Sequence, residues 1–156
     1  RAEKKVRDRL EELGVECFLP VQTVLRQWTY RKSRVVVPVI AGLVFVRVGR
    51  QEQVKVLQTK GVVAFLRLKG EAGAAVIPDK QMEDFRFLLD FSEEAVEMTN
   101  ENIKAGDLVR VVKGSLRGME GELIRHKGVT KVLVRIDMLG CAMVNIPASF
   151  VEKLNK

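Results

Sequence analysis

The sequence predicts an α+β chain of two small domains, an α/β sandwich followed by a small all-β barrel. Three observations predict it. Helical and strand patterns alternate through residues 1–91. Residues 92–102 are polar, acidic and aperiodic, as a linker would be. After Ile103, short Val/Ile/Leu segments recur between glycines. The expected organisation is therefore a first domain at 1–91, a linker at 92–102 and a second domain at 103–156.

Each element has a local reason. Ala2, Val6, Leu10 and Leu13 recur at helical spacing with charges between them, and Gly14 follows where a left-handed cap belongs. Residues 1–13 are therefore expected to form an amphipathic helix. A short strand at 15–20 follows. Residues 24–28 and 33–37 read as the arms of a hairpin. Its basic end clusters Arg26, Arg31, Lys32 and Arg34 beside Trp28 and Tyr30. Residues 43–48 are strongly β-prone and predict a buried central strand. Residues 52–58 suit a short helix and 62–66 a second apolar strand. Pro78 fits the first turn of a helix because it lacks an N–H, and Met82, Phe85, Leu88 and Leu89 give that helix an apolar face through residue 91.

In the second domain, strands are expected at 108–113, 122–126, 131–136 and 143–146. Gly114, Gly118, Gly121, Gly128 and Gly140 punctuate them. Five glycines in about thirty positions also argue against a helical form, since each costs roughly 1 kcal/mol in a helix interior.

Composition narrows the class. The 156 residues are 47% hydrophobic and 30% charged with 4 prolines, a globular profile. Aromatics are only 6%, so the cores must rely on Val, Leu and Ile. The net charge of +7 suggests a polyanionic partner. The charge is uneven. Residues 1–50 carry 11 Lys/Arg against 5 Asp/Glu, residues 51–100 carry 6 against 9, and residues 101–156 carry 10 against 6. Cys17 and Cys141 form no C-x-x-C pair, so zinc and redox motifs are not expected and reduced thiols in a cytoplasm are. The apolar run 35–48 is too short to span a membrane and is broken by Pro38 and Gly42. No signal-peptide pattern is found, and no membrane association is expected.

No enzyme chemistry is indicated. His126 is the single histidine and sits among charges, without a serine–acid or cysteine–acid constellation near it in sequence. Residues 114–121 lack the Lys and Ser/Thr that a phosphate loop needs after its second glycine. No cofactor and no metal site are expected.

Residues 104–127, from Lys104-Ala105-Gly106-Asp107 to Arg125-His126-Lys127, resemble a KOW motif. Gly106-Asp107 turns into a strand, Val109 and Val111 alternate inward, and Gly114 and Gly121 bracket a loop whose backbone a side chain would hinder. KOW motifs build SH3-like barrels in ribosomal proteins and in NusG-type factors. The preceding residues decide between these. Residues 1–6, 15–20, Gln27-Trp28 with the basic turn, and Ala41-Gly42-Leu43-Val44-Phe45-Val46 resemble a NusG N-terminal domain. So does Thr59-Lys60-Gly61-Val62-Val63-Ala64-Phe65-Leu66 followed by Ile77-Pro78-Asp79. The chain is thus similar to the NusG family over nearly its whole length. The long basic hairpin resembles the specialised UpxY-, RfaH- and LoaP-like branch.

There are departures. The family begins with an aromatic-rich strand before its first helix, whereas this sequence opens within that helix, so either the central sheet lacks a strand or the sequence is trimmed ahead of it. Ala41-Gly42-Leu43 stands where many relatives have Pro-Gly-Tyr, and Leu139-Gly140-Cys141 where housekeeping relatives have Phe-Gly-Arg.

The resemblance implies a monomeric transcription elongation or antitermination factor. It implies docking of an apolar depression on the clamp of RNA polymerase, touching both large subunits, with Leu43, Phe45, Val46, Phe65 and Leu66 as candidate dock residues. Arg26, Trp28, Tyr30, Arg31, Lys32 and Arg34 would contact the non-template DNA strand, the aromatics stacking on an unpaired base. Met119, Ile136, Met138 and Leu139 would form the KOW face that recruits a ribosomal protein or Rho. Two alternatives remain: a housekeeping factor assisting Rho-dependent termination, and a ribosome-associated KOW protein that binds RNA.

Overall fold

A computed structural model describes residues 2–27, 29–67 and 69–154. Trp28 and the side chain of Arg26 lie outside the described residues. The chain divides into two compact units, residues 1–75 and residues 76–156.

The first unit begins with α1 (Glu3–Glu12), whose Val6 and Leu10 are buried four residues apart on one face. The helix closes through the Leu13 and Gly14 N–H groups, and Gly14 takes a positive φ as its position after the last apolar residue requires. β1 (Glu16–Phe18) pairs antiparallel with β4 (Phe45–Arg47), setting Cys17 opposite Val46 and Phe18 opposite Phe45. β2 (Val21–Gln27) and β3 (Lys32–Pro38) form a separate two-stranded hairpin. α2 (Arg50–Leu57) follows Gly49, whose N–H is accepted by the Glu52 carboxylate three residues on. The core is small and almost entirely aliphatic. Val6, Leu10, Val15 and Val56 are buried, with Cys17, Val44, Val46, Val48, Val62 and Phe65 packed against them.

Two expected strands differ. The strand expected over 43–48 is only three residues long, and among the described residues β1 is its one partner. Residues 62–66 form no strand. The Val62 N–H instead closes a turn on the Thr59 carbonyl. Val62 and Phe65 bury their side chains without a ladder, so their apolar character reported burial and not pairing.

The second unit is built on a six-stranded antiparallel sheet. Its strands are β5 (Glu97–Thr99), β6 (Asp107–Val111), β7 (Glu120–His126), β8 (Val129–Ile136), β9 (Gly140–Asn145) and β10 (Val151–Lys153), in the spatial order β10-β6-β7-β8-β9-β5. The register places Val109, Val111, Val132, Val134, Ile136, Ala142 and Val144 on one face, all buried. Ile124, Leu133, Cys141 and Met143 share the other face, where Ile103 packs on them. Both faces are therefore covered, and the central strands read as continuous apolar runs.

Part of the expected linker belongs to this sheet. β5 pairs with β9, Val96 before it is buried, and Glu97 forms an ion pair with the buried Lys131. Hydrogen bonds from Lys131 hold the Glu97 carboxyl below the usual carboxylate range. Nearby, Arg135 donates to both carboxylate oxygens of Glu122, at 2.7 and 3.1 Å, and to the Ile103 carbonyl at 2.8 Å. The Gly106 N–H adds a further bond to Glu122 at 3.1 Å. Burial pushes the Glu122 carboxyl up, but these donors and the guanidinium charge outweigh it and hold it below its ordinary value.

α3 (Asp79–Phe91) follows Pro78 and packs on β8, with Phe85 and Leu88 fully buried. Gln81 and Asp137 bond reciprocally: the Gln81 amide donates to the Asp137 carboxylate at 3.0 Å, and the Asp137 N–H donates to the Gln81 oxygen at 2.7 Å. The compact units divide at 75/76, and this helix, packed on β8, falls in the second of them.

Both cysteines are free; burial pushes the thiols of half-buried Cys17 and buried Cys141 up. Among the described residues no helix is long and apolar enough to cross a membrane, and no cluster of His, Cys, Asp and Glu could hold a metal ion.

Two outcomes follow from this packing. Leu133→Ala should destabilise the second unit by about 2–5 kcal/mol in urea unfolding, as buried Leu truncations do. A lowered folded-state value at Glu122 means that its contribution is present above the unfolded value, about 4.3, and is lost as pH falls through the folded one. Acid unfolding of the second unit should therefore weaken in pH dependence in Glu122→Gln, measured as midpoint against pH below about 5.

Candidate functional site

Three groups of residues were expected to be functional, and the structure places them differently. In the hairpin, β2 and β3 pair from Val21↔Pro38 to Gln27↔Lys32. The register puts Thr23, Leu25, Gln27, Lys32, Arg34 and Val36 on one face, and that face is exposed. The connection carries Tyr30, 97% exposed, and exposed Arg31. Tyr30, Arg31, Lys32 and Arg34 are thus brought together on solvent-facing surface. Among the described residues no ion pair engages these three cations. Trp28 and the Arg26 side chain are outside the described residues; the Arg26 backbone pairs with Ser33.

The charge of the two units differs. Residues 1–75 hold 15 Lys/Arg against 7 Asp/Glu, a net +8, while residues 76–156 hold 12 against 13, a net −1. An exposed basic hairpin on the unit that carries the whole net charge is suited to meet a polyanion.

The five apolar candidates in the first unit separate into two sets. Val46 and Phe65 pack on the core cluster. Phe45 lies on the opposite face of β4, its ring stacked on Phe18 at 6.1 Å between centroids. Leu43 is half-buried and Leu66 is 49% exposed. Phe18 was not singled out from the sequence. Alternation from Val15 through Cys17 would have put Phe18 on the face away from the core, but only the β1–β4 register shows that it meets Phe45.

Helix α1 holds the turns that lead into both segments. The Gly42 N–H donates to the Glu3 carboxylate at 2.7 Å, and this bond holds the Glu3 carboxyl well below the usual carboxylate range. Lys4 Nζ donates to the Val36 carbonyl at 3.1 Å, at the end of the hairpin. Arg9 donates to the Lys60 carbonyl at 2.8 Å. Beside it, Gly61 has φ +99° and lies so close to α1 that a Cβ there would meet Val6 at 2.7 Å.

In the second unit, Met119 and Ile136 are 3% and 2% exposed and belong to its interior. Met138 is 39% exposed, with φ +74°, and Leu139 is half-buried, both in the turn between β8 and β9. The Gln81–Asp137 bonds anchor α3 at the start of that turn. His126 bonds to Glu101 through Nε2 at 3.0 Å, while its Nδ1 is buried without a partner among the described residues.

A family model described as "Transcription termination factor nusG" matches residues 1–86, more than half of the chain. The chain belongs to the NusG family, whose members are transcription factors, not enzymes, and act in termination and elongation with RNA polymerase. A comparison with curated proteins finds no match.

Gly61→Ala combines an unfavourable backbone conformation with a clash on Val6. It should cost about 1–3 kcal/mol or more in denaturant unfolding of the first unit.

Proposed function

We propose that the chain binds RNA polymerase across its clamp and suppresses pausing or termination, in the manner of an operon-specific antitermination factor. The observation that carries this reading is the hairpin: a two-stranded projection with an exposed Tyr30 and exposed Arg31, Lys32 and Arg34, on a unit of net +8. Its exposed aromatic and cations match the needs of an unpaired strand, where a base stacks and phosphates are neutralised. The non-template strand of the transcription bubble is such a partner. The apolar dock on the largest polymerase subunit comprises Leu43, Phe45 and Leu66, with Val46 and Phe65 supporting them from the core, and a second contact reaches the other large subunit. A ligand that bridges the clamp favours its closed state by differential affinity for that state. The functional N-terminal domain extends to residue 91, a boundary supported by the family match reaching residue 86, inside α3.

The second unit acts as a KOW-type SH3-like barrel, with Met138 and Leu139 at its partner face for a ribosomal protein or Rho. Its net −1 weighs against a ribosome-type RNA-binding role. The protein works as a cytoplasmic monomer.

The test pairs two assays. Core RNA polymerase should be retained by the full chain. Single-stranded DNA affinity should collapse in the triple variant Arg31→Glu, Lys32→Glu, Arg34→Glu, with the slope of log affinity against log salt shallower by about 2 if each cation meets one phosphate. Unchanged DNA affinity in that variant would reject the hairpin contact. Failure to retain polymerase would reject the dock.

A further inference from the structure

We infer that Glu3 and Arg9 are positioning residues: α1 is the frame that sets the two apolar segments of the polymerase dock relative to one another. The inference rests on the docking reading above. Its physical basis is the geometry of one short helix. Val6 and Leu10 are buried in the core, which fixes the rotation of α1 about its axis. With that rotation fixed, Glu3 and Arg9 point at separate turns. Glu3 accepts from the Gly42 N–H, one residue before Leu43 and three before Phe45. Arg9 donates to the Lys60 carbonyl, at the mouth of the turn that leads through Gly61 to Phe65 and Leu66.

Neither segment has enough regular structure to place itself. Residues 40–44 are irregular, and among the described residues β4 has one partner. Residues 62–67 form no strand, and the Leu66 carbonyl accepts from the Ala75 N–H at 2.7 Å. Gly42 has φ +71°, a conformation that an isolated turn holds only weakly, and a charged acceptor fixes its N–H. Glu3 is itself buried, and the Gly42 N–H is one of the donors that its carboxylate receives. The Gly61 approach to Val6 brings the second segment onto the same helix. Two loops are thereby referred to one rigid element, and a surface made from both keeps its shape.

The experiment uses the full chain and the variants Glu3→Ala, Glu3→Gln and Arg9→Ala. Three quantities are read: amide hydrogen exchange at Gly42 and at residues 61–66, retention of core RNA polymerase, and affinity for a single-stranded DNA oligonucleotide. Glu3→Ala should speed Gly42 exchange by about tenfold or more and weaken polymerase retention by about tenfold, as loss of a charge-assisted hydrogen bond predicts. Its DNA affinity should change by less than about twofold, because the hairpin face is intact. Glu3→Gln keeps an oxygen that accepts the same N–H, and it should recover most of both losses. Arg9→Ala should speed exchange at residues 61–66 and leave Gly42 protected. A Gly42 amide as protected in Glu3→Ala as in the parent chain would overturn the inference, as would undiminished retention of polymerase by that variant. If the parent chain retains no polymerase, the docking reading falls. Gly42 exchange then still decides whether Glu3 holds the turn. Should Glu3→Ala not fold, Glu3→Asp, one methylene too short to reach Gly42, carries the same comparison.

Discussion

The burial of one helical stripe governs the first unit. Val6 and Leu10 are the central members of a core that contains almost no aromatic surface. Small units bury a modest fraction of their surface, and aliphatic cores of this size leave little surplus stability. The unit therefore leans on specific polar contacts made by the same helix. Glu3, Lys4 and Arg9 each reach a backbone group in a different part of the chain. Because the stripe fixes which way these side chains face, a change in core packing would move two loops and the hairpin at once. Stability and surface shape are coupled through ten residues.

The hairpin of the first unit and the sheet of the second unit treat their cations in opposite ways. In the second, cations are neutralised internally: Arg135 by Glu122, Lys131 by Glu97, and Arg110 by Glu120. These pairs tie strands and the residues before β6 to the sheet, and the carboxyl groups of Glu122 and Glu97 are held low as a result. In the first unit the hairpin cations face water. The difference is a division of labour that total charge conceals. The net +7 is carried by the first unit, at +8, and not by the second, at −1.

Elements whose signal is local were legible in the sequence. Helical spacing and Gly14 located α1, Pro78 located the start of α3, and the two β-prone arms located the hairpin to within a few residues. The strands β6 to β9 followed from Val/Ile/Leu runs between glycines. Elements that depend on a distant partner were not legible. Residues 97–99 are Glu-Met-Thr in an acidic stretch, and they form a strand only because β9 and Lys131 receive them. Residues 62–66 have the composition of a strand but form none. Of the candidate site, the hairpin cations could be read from clustering alone. Which apolar candidates face the core could not, since Val46 and Phe65 look like Phe45 and Leu66 until the register and the core are known. The same holds for Met119 and Ile136, whose burial separates them from Met138.

The two thiols have a practical consequence. The thiolate is the reactive form of cysteine, and burial holds both Cys17 and Cys141 in the protonated form. Alkylating reagents and peroxide should find neither an eager nucleophile, and the oxidation ladder has no easy first rung here. The native chain is thus a quiet chemical background. A single cysteine introduced in place of fully solvated Tyr30 would outpace the native pair, so a dye or crosslinker could be directed to the hairpin without removing either one.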